Sequence, residues 1–320
     1  MAKRFSWFIP ALFFIVLGLG NTSLASNRKD SLPLSHYIMA LYYDGKGQWD
    51  LAIKEYEQAL KLDWDNYLTH FNLALIRVRK NDIERARDSL SQAVKINPEA
   101  SEPHALLAVL NLAEGKFDLA ANEYELALKG AVRLNPKDVE IYKVLAGLYI
   151  RQGNIEEAKD TYRIISELAP NDPEVHFYLG VVYAELKESA SLEEALKKAI
   201  SLKPDYAQAL NFLGYTYVED NRNLKEAEGL IRKALAVDPD NGAYLDSLGW
   251  LFYKKGRIKE AREILIRAAS LMPDEVIFDH LGDVYFKMKD AENARINWQE
   301  SLRLNPGQEK VEEKLKGLKK

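Results

Sequence analysis

The side chains best suited to hold a metal or move a proton are five histidines: His36, His70, His104, His176 and His280. His36, His70 and His104 are spaced by 34 residues. One zinc ion draws its ligand nitrogens to about 2.0–2.1 Å, whereas packed helices lie about 8–10 Å apart. Histidines in successive helical layers would have to converge unusually to share an ion. They are therefore read as half-buried packing residues, with His280, beside Asp279, standing apart from the series. Cysteine is absent, which excludes zinc fingers, iron–sulfur clusters, thiol catalysis, disulfide scaffolds and a lipid-modified N-terminal cysteine. No paired-histidine zinc helix, serine elbow or phosphate loop occurs, and Gly18 and Gly20 fall inside an apolar N-terminal stretch. No catalytic residue, metal or cofactor is assigned, and the chain is read as non-enzymatic.

Charge adds a second exclusion. Lys+Arg total 44 and Asp+Glu 48, for a net charge of −4, without the basic excess that a general nucleic-acid binder uses to replace phosphate counterions. Lys197, Lys198, Arg232, Lys233 and Arg267 are read as a solvated outer face beside acidic partners.

Any such residue must be positioned by the elements around it. The chain has 320 residues, 47% hydrophobic and 29% charged, with only 17 glycines and 11 prolines, a composition that can bury a core and leans all-helical. Pro98, Pro136, Pro170, Pro204, Pro239, Pro273 and Pro306 follow one another at 38, 34, 34, 35, 34 and 33 residues. Similar text precedes them: Ala93 to Pro98, Ala199 to Pro204, Ala234 to Pro239 and Ser301 to Pro306. An earlier copy ends at Ala59 to Trp64, with tryptophan where proline is expected. With the proline at position 32 of each unit, position 8 is always small: Ala40, Ala74, Ala108, Ala146, Gly180, Gly214, Gly249 and Gly282. Position 20 is alanine in most units, with Ala227 displaced by one inserted residue and Leu192 the exception. Small residues there let two helices approach closely, with large side chains such as Tyr149, Tyr162, Tyr285 and Trp298 filling the space beside them. Gly47, Gly115, Gly153 and Gly256 end the first helix of their units, and the proline ends the second.

This repeated text resembles the tetratricopeptide repeat. The resemblance implies an all-α superhelical solenoid of about eight helix-turn-helix repeats over residues 33–308, stacked so that each pair buries a face it cannot cover alone. Residues 309–320, with Val311, Leu315 and Leu318 at helical spacing, read as a C-terminal capping helix. The departures are local. Four extra residues fall around Lys129 to Val132, Ile165 replaces an alanine in the fourth repeat, and Leu192 makes the fifth the expected place for irregular packing.

In this family, positions 2, 5, 9 and 12 of the first helix point into a concave groove. The resemblance thus puts Gln208, Asn211, Tyr215 and Val218, then Ala243, Asp246, Trp250 and Tyr253, then Val276, Asp279, Asp283 and Phe286 along one lane. Asn211, Tyr215, Asp246, Trp250, Tyr253, Asp279, Asp283 and Phe286 are the candidate partner-binding residues. Aromatics would anchor a ligand and the carboxylates would favour a basic or amide-rich one. The competing reading is that some of these aromatics pack against neighbouring repeats. The family's carboxylate clamp, lysine at 5 with asparagine at 9, is not met, because Lys143 is followed by Gly147.

The N-terminus differs from the rest. Lys3 and Arg4, the apolar run from Phe5 to Gly20, and Ser23-Leu24-Ala25 have the layout of a secretory signal over residues 1–25, with a linker at 26–32. An uncleaved N-terminal membrane anchor is the rival reading. The expectation is an exported, periplasmic scaffold or adaptor of the bacterial cell envelope that binds protein or peptide partners and no nucleic acid. It would touch the membrane only if the N-terminal segment is retained. Two other readings remain: an inner-membrane-anchored regulator that recruits an enzyme or protease, and a saccharide-binding envelope protein.

Overall fold

A computed structural model describes residues 31–318 of the chain. The expected signal at 1–25 and residues 26–30 of the expected linker lie outside the described residues, and the first helix already begins at Ser31.

All regular structure among the described residues is α-helical. The chain divides into two compact units at Thr161/Tyr162. The first unit holds α1 (Ser31–Gly45) with α2 (Trp49–Leu62), α3 (Tyr67–Arg79) with α4 (Ile83–Ile96), α5 (Ser101–Ala113) with α6 (Phe117–Leu134), and then α7 (Val139–Gln152). The division falls within α8 (Ile155–Leu168). The second unit pairs α9 (Pro173–Glu185) with α10 (Ser189–Leu202), α11 (Ala207–Glu219) with α12 (Leu224–Val237), α13 (Gly242–Lys254) with α14 (Ile258–Leu271), and α15 (Glu275–Lys287) with α16 (Ala291–Leu304). The short α17 (Glu309–Gly317) packs on α16.

Each turn between first and second helices is made the same way. Gly47, Asn81, Gly115, Gly153, Lys187, Asn221, Gly256 and Lys289 all sit in the left-handed region, with φ between 50° and 78°. Glycine enters it freely, asparagine tolerates it, and lysine does so under strain. The residue inserted in the sixth repeat adds a second left-handed position, Asn223, at φ 51°. At the other end of the units, Asn66, Asp138, Asp172, Asn241 and Asp274 accept backbone N–H bonds at the starts of α3, α7, α9, α13 and α15. These caps satisfy donors that the first turn of a helix leaves open.

The small residue at position 8 marks where the paired helices touch. A Cβ added at Gly180 would come within 2.7 Å of Leu196, at Gly214 within 2.7 Å of Ile231, and at Gly249 within 2.6 Å of Leu265. At Gly282 it would meet the Trp298 ring at 2.4 Å. Leu192 is accommodated without irregularity, buried in a helix of the common 14-residue length. The four extra residues of the third repeat lengthen α6 to 18 residues, about one helical turn more than its counterparts. Gly130 in that added turn faces the Glu99 carbonyl, where a Cβ would lie only 2.4 Å from the oxygen.

Candidate functional site

In the second unit α11, α13 and α15 are the first helices of successive repeats and lie side by side. Their facing residues line a groove of about 470 Å³, with Gln208, Asn211 and Tyr215 from α11, Ala243 and Asp246 from α13, and Val276 from α15. All six are lane positions. Gln208 and Val276 are exposed at its rim. Asn211 and Tyr215 are half-buried, and the Asn211 amide oxygen is buried without a hydrogen-bond partner. Burial pushes the Tyr215 hydroxyl well above its ordinary range, helped by the carboxylates of Glu219 and Asp246. The groove therefore offers neutral hydroxyl and amide groups beside an acid.

Asp246 is only 6% exposed. Its Oδ1 lies 2.9 Å from His280 Nδ1, joining repeats seven and eight. Trp250 is 8% exposed. Its ring stacks on Tyr253 at 4.7 Å and 4°, and on His280 at 4.0 Å and 8°. The indole N–H donates to Glu219. Trp250 is thus wedged between neighbouring repeats, with half-buried Tyr253 beside it.

Asp279 and Asp283 sit further along α15, and neither is free. Lys314 of α17 places its ammonium 2.6 Å from Asp279 and 2.7 Å from Asp283. Burial pulls the Lys314 ammonium down, but hydrogen bonds to the two carboxylates outweigh it and hold its pKa above the ordinary lysine value. Burial pushes the Asp283 carboxyl up in spite of that cation. Phe286, at the end of the lane, is 56% exposed and rests on Trp298 at 5.6 Å. The eight candidates therefore fall into three groups: Asn211, Tyr215 and Asp246 in one groove, Trp250 and Tyr253 in a stack, and Asp279, Asp283 and Phe286 around Lys314 and Trp298. Sequence reasoning missed Glu219, His280 and Lys314 as their partners. The available signal for Lys314 was its distance from Asp279, 35 residues, close to one repeat.

The histidines do not converge on a metal. His70, His104 and His176 each donate from Nε2 to a carbonyl six residues earlier, that of Trp64, Pro98 and Pro170, at 2.9, 3.0 and 2.9 Å. The Tyr142 hydroxyl makes the same bond to Pro136 at 3.4 Å. Position 4 thus ties a first helix to the end of the preceding second helix. Among the described residues no group of three or more His, Asp or Glu is placed to hold an ion, and no helix is long and apolar enough to cross a membrane.

This pairing of helices recurs in known proteins. Residues 110–318 match the family model described as the Cilia and flagella-associated protein 70 C-terminal domain, residues 41–80 that of the TPR repeat, and residues 71–139 that of the tetratricopeptide repeat. The chain belongs to the tetratricopeptide-repeat family. Photosystem I assembly protein Ycf3 of Cyanophora paradoxa is 26% identical over 129 residues, 39% of this chain and 75% of that protein. The Ycf3 of Synechococcus elongatus is 26% identical over 107 residues, 32% of this chain and 62% of that protein, so the match spans less than two thirds of its length. In structure, a tetratricopeptide repeat protein from Parabacteroides merdae ATCC 43184 has a TM-score of 0.56 at 19% identity, covering 79% of this chain and 99% of that one. At that identity the likeness is one of fold: a tetratricopeptide-repeat solenoid, the architecture of a protein-interaction scaffold.

Proposed function

We propose that this tetratricopeptide-repeat protein is an exported, non-enzymatic scaffold of the bacterial cell envelope, and that it holds a polypeptide segment against the first helices of repeats six to eight. The observation that carries this reading is the groove itself, where lane residues from three successive helices meet around half-buried aromatic and amide groups. Asn211 brings to it an amide oxygen with no partner in the chain. A backbone N–H of a bound segment is the natural complement of an unpartnered amide oxygen. Tyr215 supplies rigid contact area at little entropic cost. The relatives named for assembling photosystem I lend support to a role in holding other proteins. The basic start, apolar run and small-residue exit of residues 1–25 support export.

Gln208→Arg with Val276→Glu blocks the groove from its exposed rim without touching the core. Crosslinking in the native envelope, followed by capture and identification of partners, should lose the specific adducts in that variant while the helical melt is unchanged. Retention of the same adducts would refute the groove. N-terminal sequencing of the mature protein should begin at Ser26, and a purely cytoplasmic chain starting at Met1 or Ala2 would refute export.

A further inference from the structure

Asp279 and Asp283 stand one turn apart on α15, and Lys314 from α17 bridges them at 2.6 and 2.7 Å. The Trp298 indole N–H donates to Asp283 at 3.1 Å, and the lysine ammonium lies 5.8 Å from the centre of the same ring. Like charges spaced i, i+4 repel, and desolvation adds to the cost of holding them together. The pair therefore needs a cation from whichever helix docks there.

The hold of α17 on this site rests on few residues: Lys314, Val311 with its apolar neighbours, and Gln308 at its start, whose amide donates to Ser301 and Asn305. Of its nine residues only Val311 is buried, and no side chain caps its N-terminus. Leu315 and Leu318 are partly buried against Trp298 and its neighbours. A helix of that length has no stability of its own in water. The docked helix also leaves the end of the lane open, since Phe286 is 56% exposed on the same helix as the two carboxylates.

We propose that Asp279, Asp283 and Trp298 form a receptor for a lysine carried on an amphipathic helix, that α17 is its resident occupant, and that a partner helix of the same chemistry, but longer, takes the site by displacing α17. The lysine answers the paired acids. Apolar residues on either side, as Val311 and Leu315 flank Lys314, answer Trp298. The additional length covers Phe286, which stays exposed beside α17. The receptor goes beyond the groove of repeats six to eight, and either can fail without the other.

The probe is a fluorescein-labelled peptide copying residues 305–320 of this chain, titrated into the unaltered protein and into the full chain carrying Val311→Ala and Lys314→Ala. A resident helix lowers the fraction of open sites and hence the apparent affinity. The peptide should bind the loosened chain at least tenfold more tightly, and the peptide with Lys314→Glu should lose at least tenfold. Equal affinity for both chains, no binding to the loosened chain, or indifference to the charge reversal would overturn the proposal. Because the protein has no cysteine, Lys316→Cys takes a single fluorophore on α17 of the otherwise unaltered chain. Excess peptide should lower its anisotropy, and an unchanged signal would count against displacement even if the loosened variant fails to fold. Light scattering guards the remaining alternative: a dimer of the unaltered chain that dissociates with Lys314→Glu would assign the site to a second copy's α17 and overturn the partner helix.

Discussion

His280 Nδ1 lies 2.9 Å from Asp246 Oδ1, 34 residues away, and both side chains are 8% exposed. The pair joins successive first helices where hydrogen bonds between side chains are screened from water. Removing one partner leaves the other buried without its bond, at a cost of about 1–3 kcal/mol. Asp246→Ala should therefore lower the unfolding free energy by about 2 kcal/mol, while Asp246→Asn, which keeps an acceptor oxygen, should lose about half as much or less. Urea denaturation measures both, and equal stabilities would show that the pair does not hold the repeats together.

Trp250 tests packing. Its burial between repeats predicts that Trp250→Ala costs about 3–5 kcal/mol, the range for losing a large aromatic from a core. A loss of partner binding in that variant would report unfolding, which is why the rim residues Gln208 and Val276 carry the binding test instead. An unchanged melting curve would contradict the packing role.

Two glycine substitutions should move stability in opposite directions. At Gly282 a Cβ meets the Trp298 ring at 2.4 Å, whereas at Gly147 nothing lies within 4 Å. Gly282→Ala should cost about 1–3 kcal/mol by overpacking, and Gly147→Ala should gain about 0.5–1 kcal/mol by restricting the unfolded chain. Thermal melts of the two variants decide it.

The left-handed lysines offer a gain. Lys187 and Lys289 hold φ of 59° and 66° at the position where four other repeats have glycine. Lys187→Gly and Lys289→Gly should each stabilise by about 0.5–1 kcal/mol, the left-handed strain relieved less the entropy that glycine adds to the unfolded chain. Destabilisation by either would mean that the turn is held by the lysine side chain.

Acid sensitivity should centre on Glu193. Hydrogen bonds from Lys197, then Arg222 and Tyr217, bring its carboxyl down to about 2. A carboxylate depressed in the fold contributes stability above its ordinary value of about 4.3, and loses it as pH falls from there through the folded value. Glu193→Gln should therefore flatten the stability loss between about pH 5 and pH 2.5. The group is partly exposed, so the effect should shrink in high salt. An unaltered pH profile would show that the network does not act on folding.

The repeat was legible because its period is carried by sterics. Position 8 must be small wherever Leu196, Ile231, Leu265 or Trp298 presses against it, and proline cannot continue a helix. Four turns were legible from glycine, but Lys187 and Lys289 carry no sign of the conformation they adopt. The four-residue insertion near Lys129 reads equally well as loop or helix, and close backbone approach at Gly130 accompanies the helical outcome. The lane was legible only in projection. Counting positions along each first helix puts Trp250 and Asn211 on equivalent faces, yet His280 and Tyr253 bury Trp250 while Asn211 lines a groove. Lys314 was missed for the same reason, because its partners belong to the preceding repeat.

The central claim, that the groove of repeats six to eight holds a polypeptide, is tested most directly by a photo-crosslinking amino acid placed in vivo at Gln208 on its rim, and in parallel at Lys233, exposed on the second helix α12. Adducts with a discrete protein at Gln208 and none at Lys233 are the predicted result; equal labelling at both positions, or none at Gln208, would contradict it.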